Sequence, residues 1–388
     1  MNEAPPSATA RRKLAGACAA HVLHDGYTDQ LYALLPVWQA ELGLSYAGLA
    51  ALRVLYYGTM GALQVPGARV FGKTSGRITL ALATFLSAVG YLVMSLPGGV
   101  VVLGAGLVLA GIGSSLQHPR SSTLVTSAYG KAARGPLGIY NFSGDLGKAG
   151  FPAVVALLLP LLAWRSVVAL AGLLGLAVAA LLLALIPREE VAAKVPDDGV
   201  HTDTTQSGRG FGLLLAIGAL DTAPRMGYLL FLPFLVRGKG GAETSTGLAL
   251  ALLFLGGAFG KAVCGWLGAK LGVVATVITT EVATATLILA TLWLPLGATY
   301  AALPLLGIAL NGTSSVLYGT VPDLAPRGDT GRAFALFYTG NIVVGGVAPI
   351  AYGLVADHAG KTMALVAAAV TALVIVPLVV ALRPRLIT

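Results

Sequence analysis

Four groups able to hold or pass a proton, His21, His24, Asp25 and Asp29, lie within one short, otherwise apolar stretch. His21 and Asp25, and then Asp25 and Asp29, stand four residues apart, the spacing that places side chains on one face of a helix. Histidine is the side chain whose ordinary titration falls near physiological pH, and beside a carboxylate it suits a proton relay. The same residue types also ligate divalent metals. No Cys or Met cluster supports a metal site, so the relay leads, with metal binding and plain structural hydrogen bonding as the alternatives. His118 either joins the relay or satisfies a backbone group freed by Pro119.

Ten ionisable residues fall inside apolar runs: Arg53, Arg120, Lys148, Arg225 and Lys261, and Asp25, Asp29, Asp145, Asp221 and Glu281. An ionisable group in a bilayer costs at least ~2.5–3.5 kcal/mol on insertion scales, so such groups face a wet cavity or a partner and mark a pathway. Asp145 and Lys148 are three apart and Asp221 and Arg225 four apart, so each pair either neutralises itself on its own helix or faces the pathway. Arg120 either faces substrate or snorkels to a cytoplasmic interface. Glu281 reads as an interfacial, structural acid. Arg53 has no acid near it in sequence, so its counter-charge is a carboxylate on another helix or a substrate anion, which a guanidinium binds bidentately. The expected substrate contacts are Arg53, Tyr57, Arg120, Lys148, Arg225, Lys261 and Asn311. The expected proton-coupling set is His21, His24, Asp25, Asp29, His118, Asp145 and Asp221.

The elements that carry these residues follow from composition. Of 388 residues 56% are hydrophobic and only 11% charged, and the mean hydropathy is +0.83. Soluble domains carry about 25% charged residues, so the chain is expected to be an integral membrane protein. Charge-free runs such as 167–186 and 364–382 have the length of spanning helices, not the short alternating strands of an outer-membrane barrel. The fold class is therefore all-α, with twelve spans at 13–38, 45–69, 78–96, 100–126, 136–160, 164–186, 211–236, 246–268, 273–294, 300–321, 332–356 and 362–382. They form two six-helix bundles, 1–186 and 211–388, joined by a polar linker, 187–210. Spans three, six and twelve have no interior charge and read as lipid-facing. Cys18 and Cys264 lie in separate spans, so neither a disulfide nor a thiolate metal site is expected.

Lysines and arginines concentrate in cytoplasmic loops. Sixteen fall on one side of this arrangement, against Arg165, Arg237, Lys239 and Lys361 on the other. Both termini and the linker are thus expected in the cytoplasm, and the net charge of +9 is a topogenic bias. The basic residues are scattered over short loops, so nucleic acid is not an expected partner. The first span is too long and polar for a cleaved signal segment.

An offset of about 196 residues brings the halves into partial register: Asp25 on Asp221, Tyr32 on Tyr228, Gly111-Ile112 on Gly307-Ile308, and Phe142–Asp145 on Tyr338–Asn341. Such a parallel repeat implies a central cavity between two halves and suits alternating access. Gly265-Trp266-Leu267-Gly268-Ala269-Lys270-Leu271-Gly272 and the looser Ala68–Ser75 resemble the G-x-L-x-D-R-x-G loop motif of the major facilitator superfamily. Ala269 and Gly72 replace its acid. Ala20–Asp25 leading to Leu34-Leu35-Pro36, Gly111–Ser122, and Gly144–Pro152 resemble the fosmidomycin-resistance branch. That resemblance implies a twelve-helix transporter and favours efflux. Arg120 stands where branch members often carry an acid, and His24 where they often carry Asn, which argues against importing the branch's drug substrates.

The expectation is a secondary transporter of a small organic anion, proton-coupled, monomeric and in a bacterial inner membrane, with membrane lipid as its surroundings and no cofactor. Amphiphilic-drug efflux and divalent-metal transport are the alternatives. No polar segment is long enough to hold an ATP-binding domain, so ATP is not the expected energy source. No nucleophile–base pair or sizeable output domain argues for an enzyme or a sensor.

Overall fold

A computed structural model describes residues 7–188, 208–326 and 330–386 of the chain. Every regular element among them is helical: α1 (Ala8–Leu42), α2 (Tyr46–Val70), α3 (Gly76–Met94), α4 (Gly99–Ser114), α5 (Gln117–Tyr129), α6 (Arg134–Leu158), α7 (Trp164–Leu185), α8 (Gly208–Gly238), α9 (Glu243–Trp293), α10 (Leu296–Leu324), α11 (Thr330–Ala359) and α12 (Lys361–Leu382), with two 3-10 turns. Most of the expected linker, residues 189–207, lies outside the described residues, as does Arg327.

Helices lie at all twelve expected span positions, with two differences in how the chain breaks. The fourth is divided at Ser115-Leu116 into α4 and α5. Pro119 then sits in the first turn of α5, where its missing N–H costs nothing. The eighth and ninth run together as α9, interrupted at Gly272 with φ 78° and ψ 166°. Among the described residues, eight helical runs are long and apolar enough to cross a bilayer by themselves. α1, α2 and α6 fall short because they carry the embedded polar residues.

The chain divides into two compact units, residues 1–37 with 52–194, and residues 38–51 with 195–388. The first packs Ala17 and Ala20 of α1 against Leu80 of α3, Leu124 and Val125 of α5, Tyr140 of α6 and Leu182 of α7. The second packs Phe211, Leu214 and Ile217 of α8 with Val277 of α9, Leu317 and Val321 of α10, Phe337 of α11 and Ile375 and Val379 of α12. α7 exposes Leu170, Leu173, Leu174 and Leu181, and α12 exposes Val370, Leu373, Val374 and Val380. Apolar faces of this size suit lipid.

The repeat is visible in packing inside each unit. A Cβ on Gly111 of α4 would fall 2.6 Å from the Tyr56 carbonyl oxygen of α2, and one on Gly307 of α10 would fall 2.1 Å from the Leu253 carbonyl oxygen of α9. Only glycine allows such approach, as at small-residue crossings in membranes. In the second unit, the Asp357 carboxylate accepts from the backbone N–H groups of Tyr46 (2.8 Å) and Ala47 (3.0 Å), capping the start of α2.

Candidate functional site

The middle of α1 organises the polar interior of the first unit. At 3.6 residues per turn, His21 and Asp25 share one face, and His21 Nε2 lies 3.2 Å from Asp25 Oδ2. α6 supplies Lys148, whose Nζ lies 3.3 Å from the same oxygen and 3.8 Å from Asp145 Oδ1. α5 supplies His118, with Nε2 3.5 Å from Asp25 Oδ1. Asp25 is thus ringed by three basic side chains from three helices. Its side chain is 8% exposed, whereas those of His118 and Lys148 are 29% and 33% exposed. The cluster opens outward through those two residues.

Close helix approach makes this possible. A Cβ on Gly144 would lie 2.6 Å from both Asp25 Oδ2 and His21 Nε2, and one on Gly147 would lie 2.1 Å from the Val22 carbonyl oxygen. α6 therefore crosses α1 on glycines, directly against the ion pair. The His21 ring stacks on Tyr140, with centroids 4.0 Å apart, and meets His118 edge-on at 5.1 Å.

The proton on His21 can be placed by its partners. Its Nδ1 faces the Tyr140 carbonyl oxygen at 2.7 Å, an acceptor only, so Nδ1 carries hydrogen and donates. A neutral ring would then turn the Nε2 lone pair toward a carboxylate. The 3.2 Å contact is therefore the place where a second proton, on His21 or on Asp25, would bridge the two groups.

His24, one residue before Asp25, points to a different face. Its Nδ1 contacts Ser114 Oγ at 2.9 Å and its Nε2 contacts Thr84 Oγ1 at 3.1 Å. Ser114 also meets Tyr56 OH (2.6 Å) and Ser87 Oγ (3.2 Å), so His24 belongs to a hydroxyl web among α1, α2, α3 and α4. Arg53 donates to the Thr28 carbonyl, its guanidinium lies 3.9 Å over the Tyr32 ring, and Asp29 is near enough to act on its charge. Its counter-charge comes from α1. Tyr57 is half-buried on α2. Arg120 donates to the Thr74 carbonyl in the α2–α3 loop and is not among the groups touching Asp25.

In the second unit, Asp221 of α8 is buried beside Arg225 and Glu281. Arg225 donates to Thr222 Oγ1 at 3.3 Å. Only 1% of Glu281 is exposed, and its carboxyl hydrogen-bonds that of Asp221, with Thr313 alongside. Two carboxyls joined in this way must hold a proton between them, because an ionised carboxylate only accepts. Asn311 donates to the Gly307 carbonyl at 3.1 Å. Lys261 is exposed on α9.

The functional groups absent from the sequence reading are Gly144, Tyr140, the Ser114–Thr84–Tyr56 web and Glu281 as a partner of Asp221. The alignment of Phe142–Asp145 with its repeat partner touched Gly144. Nothing in spacing could have joined Asp221 to an acid sixty residues later.

Apolar helices carrying buried, cross-linked charges are the build of a membrane transporter. The family model of the Major Facilitator Superfamily matches residues 19–214 and 211–386; the chain belongs to that superfamily and is an integral membrane protein. No curated protein matches it by sequence. Among solved structures, it is similar to a bacterial homologue of the human lysosomal transporter Spinster, inward-facing and unoccupied, with a TM-score of 0.80 at 15% identity over 98% of both chains. A POT family transporter in complex with a thioalcohol-conjugated peptide gives a TM-score of 0.80 at 14% identity over 97% of both chains. A POT family transporter in complex with 5-aminolevulinic acid gives 0.77 at 14% identity, again over 97% of both. At these identities the likeness is one of fold.

Proposed function

We propose that the chain is a proton-coupled secondary transporter that moves a small organic anion by alternating access, in a bacterial inner membrane with both termini cytoplasmic and as a monomer. The observation that carries this reading is the shared oxygen: Asp25 Oδ2 is contacted by both His21 Nε2 and Lys148 Nζ. A proton added at this pair weakens the hold of Asp25 on Lys148. The ammonium, one-third exposed, then becomes available to a substrate carboxylate or phosphonate. When the proton leaves, Asp25 reclaims Lys148 and the anion is released. Proton and anion therefore bind together, which gives symport. Arg53, already engaged by α1, serves in this reading as counter-ion to Asp29 and holds α2 against α1.

The Ala20–Asp25, Gly111–Ser122 and Gly144–Pro152 stretches contain His21, Asp25, His118, Gly144 and Lys148. This supports kinship with the fosmidomycin-resistance branch in the machinery, though the coupling argued here runs opposite to efflux by exchange. The POT family structure with 5-aminolevulinic acid, a carboxylate, is a consistent neighbour.

A thermal-shift screen of detergent-purified protein tests the proposal, using mono- and dicarboxylates, phosphonates and lipophilic cations. A ligand at 100 times its Kd stabilises the folded state by about 2.7 kcal/mol. Anions are expected to raise Tm in the wild type and not in Lys148→Ala. Stabilisation by lipophilic cations alone would replace this reading with drug efflux.

A further inference from the structure

We infer that His21, Asp25 and His118 form a binding site for a divalent transition-metal ion of the zinc, cobalt or nickel class, occupied in competition with Lys148. One ligand atom from each of the three residues lies within 4.8 Å of the other two. A tetrahedral ion with bonds of about 2.0–2.1 Å separates its ligands by about 3.3 Å. His21 Nε2 and Asp25 Oδ2 stand 3.2 Å apart, and His118 Nε2 and Asp25 Oδ1 stand 3.5 Å apart. Both distances are near that edge length, and they run to the two different oxygens of Asp25.

The surroundings support the same chemistry. His21 Nδ1–H is fixed on the Tyr140 carbonyl, the outer hydrogen bond that directs the Nε2 lone pair at a metal. The same carbonyl accepts from Ser143 Oγ at 2.6 Å, and ring stacking on Tyr140 holds the imidazole plane. Two imidazoles and one carboxylate suit zinc, cobalt or nickel; calcium and magnesium prefer oxygen alone. The opening at His118 gives the ion an entry and leaves a coordination position for water.

Lys148 is the competitor. Its Nζ sits on the carboxylate oxygen that a metal would take, so binding requires the ammonium to withdraw. Asp145, at 3.8 Å, already offers it a second partner. The metal thus replaces the bridging proton and breaks the Lys148–Asp25 contact. This inference does not depend on the anion-transport reading, because binding is measured without transport.

Titration of tag-free, detergent-purified protein with Co2+, followed by its visible ligand-field absorption, tests it. One saturable equivalent is expected, displaced by Zn2+. His118→Ala and His21→Gln should each weaken binding by at least about 100-fold, the upper loss seen for outer-shell changes alone. Lys148→Gln, which removes a like charge beside the ion, should strengthen it by about 10-fold. The double variant His201→Ala/His358→Ala should retain the signal, and unchanged elution on size exclusion shows that each variant is folded. No saturable absorption, loss of the signal in the His201/His358 variant, or unchanged affinity in folded His118→Ala would overturn the proposal.

Discussion

At the residue scale, a carboxylate shared among bases carries the proposed coupling, and α6 crosses it at a glycine. Gly144→Ala would place a methyl 2.6 Å from Asp25 Oδ2 and His21 Nε2, forcing the pair or the helices apart at a cost of about 1–3 kcal/mol. The expected outcome is a lowered Tm together with loss of pH-dependent substrate binding. The acid pair of the second unit makes a separate prediction. Glu281→Gln keeps a donor for Asp221 and should leave Tm nearly unchanged, while Glu281→Ala orphans a buried carboxyl and should cost about 1–3 kcal/mol. Equal destabilisation by both variants would contradict the shared proton. The His21–Asp25 pairing was legible in the sequence because helical spacing alone sets it. The arrival of Lys148 and His118 at Asp25 was not, because it depends on the rotation of α5 and α6 about their axes. Arg53 shows the same limit: spacing called for a counter-charge but could not choose between a carboxylate and a substrate.

At the element scale, glycine decides how the helices bend and cross. Gly272 adopts φ 78° and ψ 166° inside α9, a region that costs other residues of order 1–3 kcal/mol. Gly265, in the same loop motif, is helical and has open space where a Cβ would go. Gly272→Ala should therefore lower the unfolding free energy by that amount. Gly265→Ala should leave it unchanged or raise it by about 0.4–1 kcal/mol. Denaturation of the two variants side by side distinguishes a backbone requirement from a general sensitivity of the motif. Asp357 offers a third measurement: Asp357→Ala removes the cap on α2 and should cost about 0.5–2 kcal/mol. The break after Gly272 was readable from the loop motif. The division of α4 from α5 was not, since Ser115-Leu116 interrupts neither hydropathy nor charge.

At the scale of the whole molecule, composition sufficed for a helical membrane protein, because 11% charged residues cannot clothe a soluble surface of this size. The offset of about 196 residues anticipated the matching glycine crossings at Gly111 and Gly307. What composition could not supply was the sign of coupling, since that depends on which cation shares an oxygen with which proton site. The central claim is that a proton at the His21–Asp25 pair, faced by His118 of α5 and by Asp145 and Lys148 of α6, frees Lys148 for an anion. Measuring the Kd of the most stabilising anion across pH in the wild type and in Asp25→Asn tests it directly. The proton-bound form is the anion-binding form, so wild-type affinity should rise as pH falls, by up to about tenfold per pH unit while the site fills. Asp25→Asn should bind with an affinity nearly independent of pH and close to the acid limit of the wild type. A wild-type affinity that weakens on acidification, or an Asp25→Asn variant that keeps the wild-type pH slope, would contradict the account.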